Sequence, residues 1–130
     1  MTRRIASGTR WEPVVGYSRA VAAGDFVFVS GCTSVDGAEF VHEGDAYAQT
    51  AQALRNVAGA LDRLGLGLAD VVRTRVYVTD ISRWEEYGRA HGVAFGDVMP
   101  ATSMIEVSGL VDPRMLVEVE AVAYRAGIGA

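Results

Sequence analysis

Along the chain, hydrophobic positions alternate with polar ones in some stretches and recur at helical spacing in others. Residues 14–22 and 25–32 predict two strands, and AAGD at 22–25 supplies the turn that makes them a hairpin. A second turn signal, Asp36-Gly37, precedes a short apolar stretch. DAYAQTAQALRNVAGALDRLG predicts a helix capped by Asp45 and closed at Gly65. Its apolar stripe is Tyr47, Ala51, Leu54, Ala58, Leu61 and Leu64. The β-branched run DVVRTRVYVTD at 70–80 predicts a strand. SRWE at 82–85 fits a capping box, with Ser82 as N-cap and Glu85 three residues on. The helix it opens runs to about Phe95, before Gly96. Gly88 and Gly92 weaken that helix, and close packing on a sheet would explain them. Strands at 101–107 and 115–124 complete the order ββ-α-β-α-ββ, an α+β pattern with two helices over one sheet face.

The two-residue period of strands sorts the side chains. Val72, Thr74, Val76 and Val78 fall beneath the helices, as do Val117, Val119, Ala121 and Ala123. The other face collects Arg73, Arg75, Glu106, Glu118 and Glu120 with Met104, Tyr77 and Val122. Such a face is either solvated, as antiparallel sheets tolerate, or covered by sister subunits with charges paired across the interface. Phe26 and Phe28 on the preceding hairpin favour the covered face.

With 130 residues the chain is expected to be a single domain, residues 1–130. A net charge of −4 argues against a phosphate-binding surface, so nucleic acid is not the expected partner. No apolar run reaches membrane length, and the N-terminus lacks a secretory h-region. A single cysteine forbids an internal disulfide, and together these features favour the cytoplasm.

Candidate chemistry is sparse. One cysteine and two separated histidines, His42 and His91, make no conventional zinc site, so no metal is expected. Cys32 is either a nucleophile or a small buried hydrophobe. His91 stands seven residues after Trp84 and four before Phe95, a spacing that helix packing explains. The better cluster is Tyr17, Ser30 and Glu120. A carboxylate on a partly dry sheet face can relay a proton through water, or it can simply pair with Arg73 or Arg75.

VVGYSRAV at 14–21, FVFVSGCT at 26–33, the asparagine-bearing helix AQTAQALRNVAGAL, ADVVRTRVYVTDI at 69–81, PATSMIEVSGL at 100–110 and LVEVEAVAYR at 116–125 together resemble the RidA/YjgF family of reactive-intermediate deaminases. The resemblance spans about Ser7 to Arg125. It implies a chorismate-mutase-like (bacillus type) α+β fold with a mixed sheet and two helices on one face. It also implies a homotrimer whose sheets form a central β-barrel, with clefts between subunits. Active members hydrolyse small enamines and imines to ketoacids and ammonia, and no cofactor is implied. Tyr17 and Ser30-Gly31 match family positions, and Glu120 is read as the carboxylate that activates water. Phe26, Cys32, Met104 and Arg75 are read as further cleft residues.

Thr102 stands where the deaminases carry an arginine that grips the substrate carboxylate, and a neutral hydroxyl cannot replace a bidentate guanidinium. The chain therefore resembles an arginine-lacking branch. Either Arg75 supplies a cation from another direction, or it only neutralises the neighbouring glutamates. Three functions stay open: an imine or enamine hydrolase with a non-standard substrate, a non-catalytic metabolite-binding trimer, and an endoribonuclease. The acidic charge and the lack of a histidine pair weigh against the last.

Overall fold

In the computed structural model, which describes residues 2–130, eight strands and three α-helices follow the chain. The strands are β1 Thr2–Ile5, β2 Ala20–Ala23, β3 Phe26–Cys32, β4 Val35–Asp36, β5 Glu39–Phe40, β6 Val71–Val78, β7 Ala101–Glu106 and β8 Val117–Tyr124. The helices are α1 Glu12–Val15, α2 Ala46–Asp62 and α3 Trp84–Phe95. Six strands form one mixed sheet in the order β1-β2-β3-β8-β6-β7, and β4 and β5 make a separate small hairpin. Only β6 and β7 run parallel, because α3 is the crossover between them.

The two main helices lie on one face, as expected. Val27, Val29, Val76, Val78, Val117 and Val119 are buried beneath them, alongside Leu54, Val57 and Leu61 of α2. Asp45 caps α2 through Ala48 N at 2.9 Å, and Gly65 takes the left-handed conformation past its end, φ 81°. The stripe is rotated from the expected one. Tyr47, Ala51 and Ala58 are only half-buried, whereas Gln49, Thr50, Ala53, Val57 and Ala60 are fully covered. Polar Gln49 and Thr50 enter the interior because both find backbone partners there.

Several expectations are corrected. The first predicted strand begins at Ala20, not at 14. Pro13 sits in the first positions of a single helical turn, α1, which Gly16 ends at φ 82°. Asp80, not Ser82, caps the start of the second helical segment, accepting from Ser82 N at 3.0 Å. Added Cβ atoms on Gly88 and Gly92 would meet nothing within 4 Å, so close packing does not explain them.

Val72 is 45% exposed, because the β6–β8 register shifts between Val71 and Arg73 and Val71 takes the inner position. The parallel register pairs Thr74 with Thr102, Val76 with Met104 and Val78 with Glu106. Thr102, Met104 and Glu106 therefore share the helix-facing side of their strand, and Met104 packs against the core. Ser103 and Ile105 take the charged face instead, where Arg73 Nη2 donates to Ser103 Oγ at 3.0 Å.

Candidate functional site

β3 is longer than its neighbour. β2 pairs with Phe26–Val29 only, so the edge of Ser30–Cys32 is left to other partners. The register with β8 also shifts between Val29 and Cys32, which places Ser30 and Gly31 in a bulge. Arg19 holds that bulge. Its Nη1 donates to Ser30 O at 2.7 Å and Gly31 O at 2.8 Å, and lies 3.1 Å from Cys32 Sγ. Ser30 N donates back to Arg19 O at 2.9 Å, and Ser30 Oγ donates to Ser18 O at 2.6 Å. The Ser30 hydroxyl hydrogen is thus committed to backbone, which leaves its lone pairs for a ligand. The guanidinium lies 5.7 Å from the Tyr17 ring centre, and Tyr17 OH meets Thr9 Oγ1 at 2.7 Å.

Glu118 on β8 lies across this bulge. A Cβ on Gly31 would collide with the Glu118 carboxyl group, so glycine is what lets the acid rest on the backbone. Burial pushes the Glu118 carboxyl above the ordinary glutamate range, with Arg19 opposing the shift and Glu120 adding to it. Burial likewise pushes the Cys32 thiol up, with Arg19 opposing, so the thiolate is disfavoured and Cys32 packs as a small hydrophobe.

α2 forms the opposite wall. Asn56 Nδ2 donates to Thr33 O at 3.0 Å and Val35 O at 2.7 Å, tying the strand that leaves Cys32 to the helix. Gln52, almost fully buried, donates to Asn56 Oδ1 at 3.1 Å and accepts from Arg55 Nε and Nη2 at 3.2 and 2.7 Å. Arg63, further along the same wall, donates to Ala6 O at 2.7 Å. The bulge, Tyr17 and this wall enclose an open cleft of about 610 Å³. That volume falls within the range of small-molecule sites.

Of the residues expected in a cleft, Tyr17, Ser30, Gly31 and Cys32 come together here. Glu120 does not. Tyr77 OH donates to its Oε1 at 2.8 Å, and Arg75 Nη1 stands 3.5 Å away. The β6–β8 register sets Glu120 opposite Arg75, whereas Glu118, two residues earlier, reaches the bulge. Arg75 is therefore a partner of Glu120 and does not line the cleft. Phe26 is at the far end of β3, 5.0 Å from Tyr124 by ring centres and outside the cleft.

Thr102 and Met104 sit on β7, at the opposite edge of the sheet from β1–β3. Thr102 Oγ1 meets Thr74 Oγ1 at 2.8 Å and donates to Pro100 O at 3.0 Å. Within one chain neither residue reaches the cleft. His91 Nε2 meets Thr74 Oγ1 at 2.9 Å and its ring packs against Phe95, tilted by 44° with centres 4.5 Å apart, in keeping with a packing role. Sequence reasoning missed Arg19, Arg55 and the cleft role of Glu118. Glu118 and Glu120 have the same parity, so alternation alone cannot choose between them.

Among the described residues no helix is long and apolar enough to cross a membrane, and no three His, Cys, Asp or Glu side chains cluster as metal ligands. Residues 7–125 match the family described as Endoribonuclease L-PSP. The chain is 50% identical to a Mycobacterium tuberculosis member of the YjgF/YER057c/UK114 family whose crystal structure superposes with a TM-score of 0.88, covering 96% of this chain and 100% of that one. It is 43% identical over 126 residues to an uncharacterized Streptomyces coelicolor protein, covering 97% of this chain and 94% of the relative. It is 32% identical over 113 residues to the 3-aminoacrylate deaminase RutC of Acinetobacter baylyi, covering 86% and 89%.

Proposed function

We propose that this chain, which belongs to the endoribonuclease L-PSP (YjgF/RidA) family, hydrolyses a small enamine or imine in the cleft at the β3 bulge. The observation that carries this reading is the Glu118 carboxyl, seated on Gly31 at the wall of the cleft with its proton affinity raised by burial. An acid poised closer to neutrality can both give and take a proton. Protonated Glu118 delivers its proton to the β-carbon of an enamine, which becomes an iminium ion. The resulting carboxylate takes a proton from water as the oxygen adds to the iminium carbon. Returning that proton to nitrogen lets the C–N bond break: ammonia leaves, the hydroxyl proton passes back to the Glu118 carboxylate, and a carbonyl compound remains with the acid reset. Tyr17 and the Ser30 lone pairs line the path.

A homotrimer in the cytoplasm is part of the same reading. Phe26, Phe28 and Tyr124 are 42%, 47% and 41% exposed on the sheet face that carries Arg75 and Glu120. Aromatic side chains in a cluster of this kind suit coverage by sister subunits. Three such faces meeting around a barrel axis would bury them. Phe28→Asp is expected to convert a trimer to monomer in light scattering after gel filtration.

The activity test is ammonia release from 3-aminoacrylate and 2-aminoacrylate generated in situ. Glu118→Gln is expected to lower turnover by about 100-fold or more, the usual weight of a general acid–base group. Glu120→Gln, in a variant that still assembles, is expected to retain most of it. Full activity in Glu118→Gln would overturn the assignment. Silence of the wild-type protein towards every imine and enamine offered would turn the reading to a metabolite-binding protein.

A further inference from the structure

The cleft is far more basic than the chain that builds it. Arg19, Arg55 and Arg63 line it against one carboxyl, Glu118, a local balance of +2 from three cations and one anion in a chain of net charge −4. A concave wall of one sign concentrates ions of the other. Two of these guanidinium groups are also fixed in place. Arg19 uses Nη1 on the Ser30 and Gly31 carbonyls, and among the described residues its Nε and Nη2 have no hydrogen-bond partner. Arg55 is gripped through Nε and Nη2 by the Oε1 of Gln52, itself almost fully buried and tied to Asn56. Its Nη1 has no partner among the described residues. An exposed arginine ordinarily spends rotamer entropy to meet a ligand, whereas one held by a buried amide has already been oriented.

The two cations occupy different parts of the site. Arg19 is at the base, beside the Glu118 carboxyl and the bulge. Arg55 is on the α2 wall. The space of about 610 Å³ is several times what a three-carbon enamine acid fills.

We propose that the cleft recognises a dianionic substrate, a dicarboxylic imino or enamino acid, with Arg19 holding the carboxylate beside the reacting carbon and Arg55 the distal one. This rests on the hydrolase reading for the words imino and enamino, but the recognition of two carboxylates stands on the cleft alone. It also accounts for Thr102. The cation that strand β7 lacks is supplied by Arg19, just before β2, and by Arg55 on α2, both in the chain that carries Glu118.

The test is calorimetric titration of the intact protein with three stable carbonyl compounds, 2-oxoglutarate, 2-oxobutanoate and the neutral 2-oxobutanamide. Each lost charge-assisted contact is expected to weaken binding about 10-fold or more. The wild-type order is therefore 2-oxoglutarate tighter than 2-oxobutanoate, and both tighter than the amide. Arg55→Gln, on an exposed helix position, is expected to erase the difference between the two acids and leave 2-oxobutanoate unchanged. Arg19→Lys keeps a charge and a donor for the bulge but loses the free edge of the guanidinium. It is expected to weaken both acids by a larger factor than the amide, and a similar loss for all three compounds would mean that Arg19 only holds the bulge and would overturn its assignment as a carboxylate anchor.

Equal affinity for the two acids in the wild-type protein, or an unchanged ratio in Arg55→Gln, would overturn the proposal. Glu118→Gln separates the two readings. Ketoacid discrimination without turnover in any form would end the hydrolase assignment and keep dianion recognition. Turnover without discrimination would do the reverse.

Discussion

Gln49 is the clearest place to test how the wall of the cleft is held. It is fully buried in the first turn of α2. Its Nε2 donates to His42 O and to Arg114 O, both at 3.1 Å, and its Oε1 accepts from Leu116 N at 2.9 Å. One side chain therefore serves three backbone groups, two of them in the segment that leads into β8 and carries the cleft residue Met115. Gln49→Leu preserves most of the volume and removes every polar atom. His42 O keeps a bond from Asp45 N at 3.1 Å, so two groups, the Arg114 carbonyl and the Leu116 N–H, lose the partner that Gln49 gave them.

A buried backbone group left unpaired costs about 1–3 kcal/mol, and the added apolar surface returns part of that. The expected net loss is about 3 kcal/mol. With an m-value near ~2 kcal/mol/M, the urea midpoint should fall by roughly 1.5 M with an unchanged slope. In a thermal scan the same loss is roughly 10 °C for a chain of this size. Gln49→Glu would make a useful second variant, since it keeps the acceptor for Leu116 N while placing a charge in the core, and it should be no better tolerated. A loss under about 1 kcal/mol in Gln49→Leu would refute the reasoning, because it would mean that the 110–116 segment satisfies itself with water at no cost.

Three further expectations follow from the same contacts. Glu118 has its folded-state proton affinity raised by burial, so the folded chain binds the proton more tightly than the unfolded one and stability falls as pH rises from the ordinary glutamate value through the raised one. Glu118→Gln should therefore be the more stable protein at pH 7–8, with the gap closing under acid conditions; an equal gap at every pH in urea titrations would contradict this. Gly31→Ala should displace the Glu118 carboxyl with little loss of fold, since the colliding atoms are the end of a flexible side chain. Turnover should drop about 100-fold, as misplacement by an ångström can cause, and carbon-13 NMR should show the Glu118 titration moving back towards that of a solvated carboxylate. Gly88→Ala should raise stability by about 0.5–1 kcal/mol in denaturant melts, because the position is helical and its Cβ would enter open space.

The amino-acid order by itself determined the elements that rest on local physics. Asp45 and Gly65 bracket α2, the Gly24 and Gly37 turns close their hairpins, and the β-branched run at 71–78 is a strand wherever it is placed. Family membership was legible too, because short motifs spread over nearly the whole chain kept their spacing. Tyr17, Ser30 and Gly31 could be picked out for the same reason.

What alternation could not decide was left to tertiary structure. Two bulges, one in β3 and one in β6, each shift a register by a residue, and so exchange Val72 for Val71 in the core and open the floor on which Glu118 lies. Glu118 and Glu120 are equivalent by period, and only the pairing of Arg75 with Glu120 and the approach of Gly31 to Glu118 divides their roles. The sidedness of β7 was equally invisible. A strand's faces are fixed by what it pairs with, and the parallel register to β6 turned Thr102 and Met104 towards the helices. Arg19 and Arg55 carry no pattern of their own. They became cleft residues because a bulge eleven residues on holds the Arg19 guanidinium, and burial of Gln52, one helical turn before Arg55, holds the other where the chain folds around empty space.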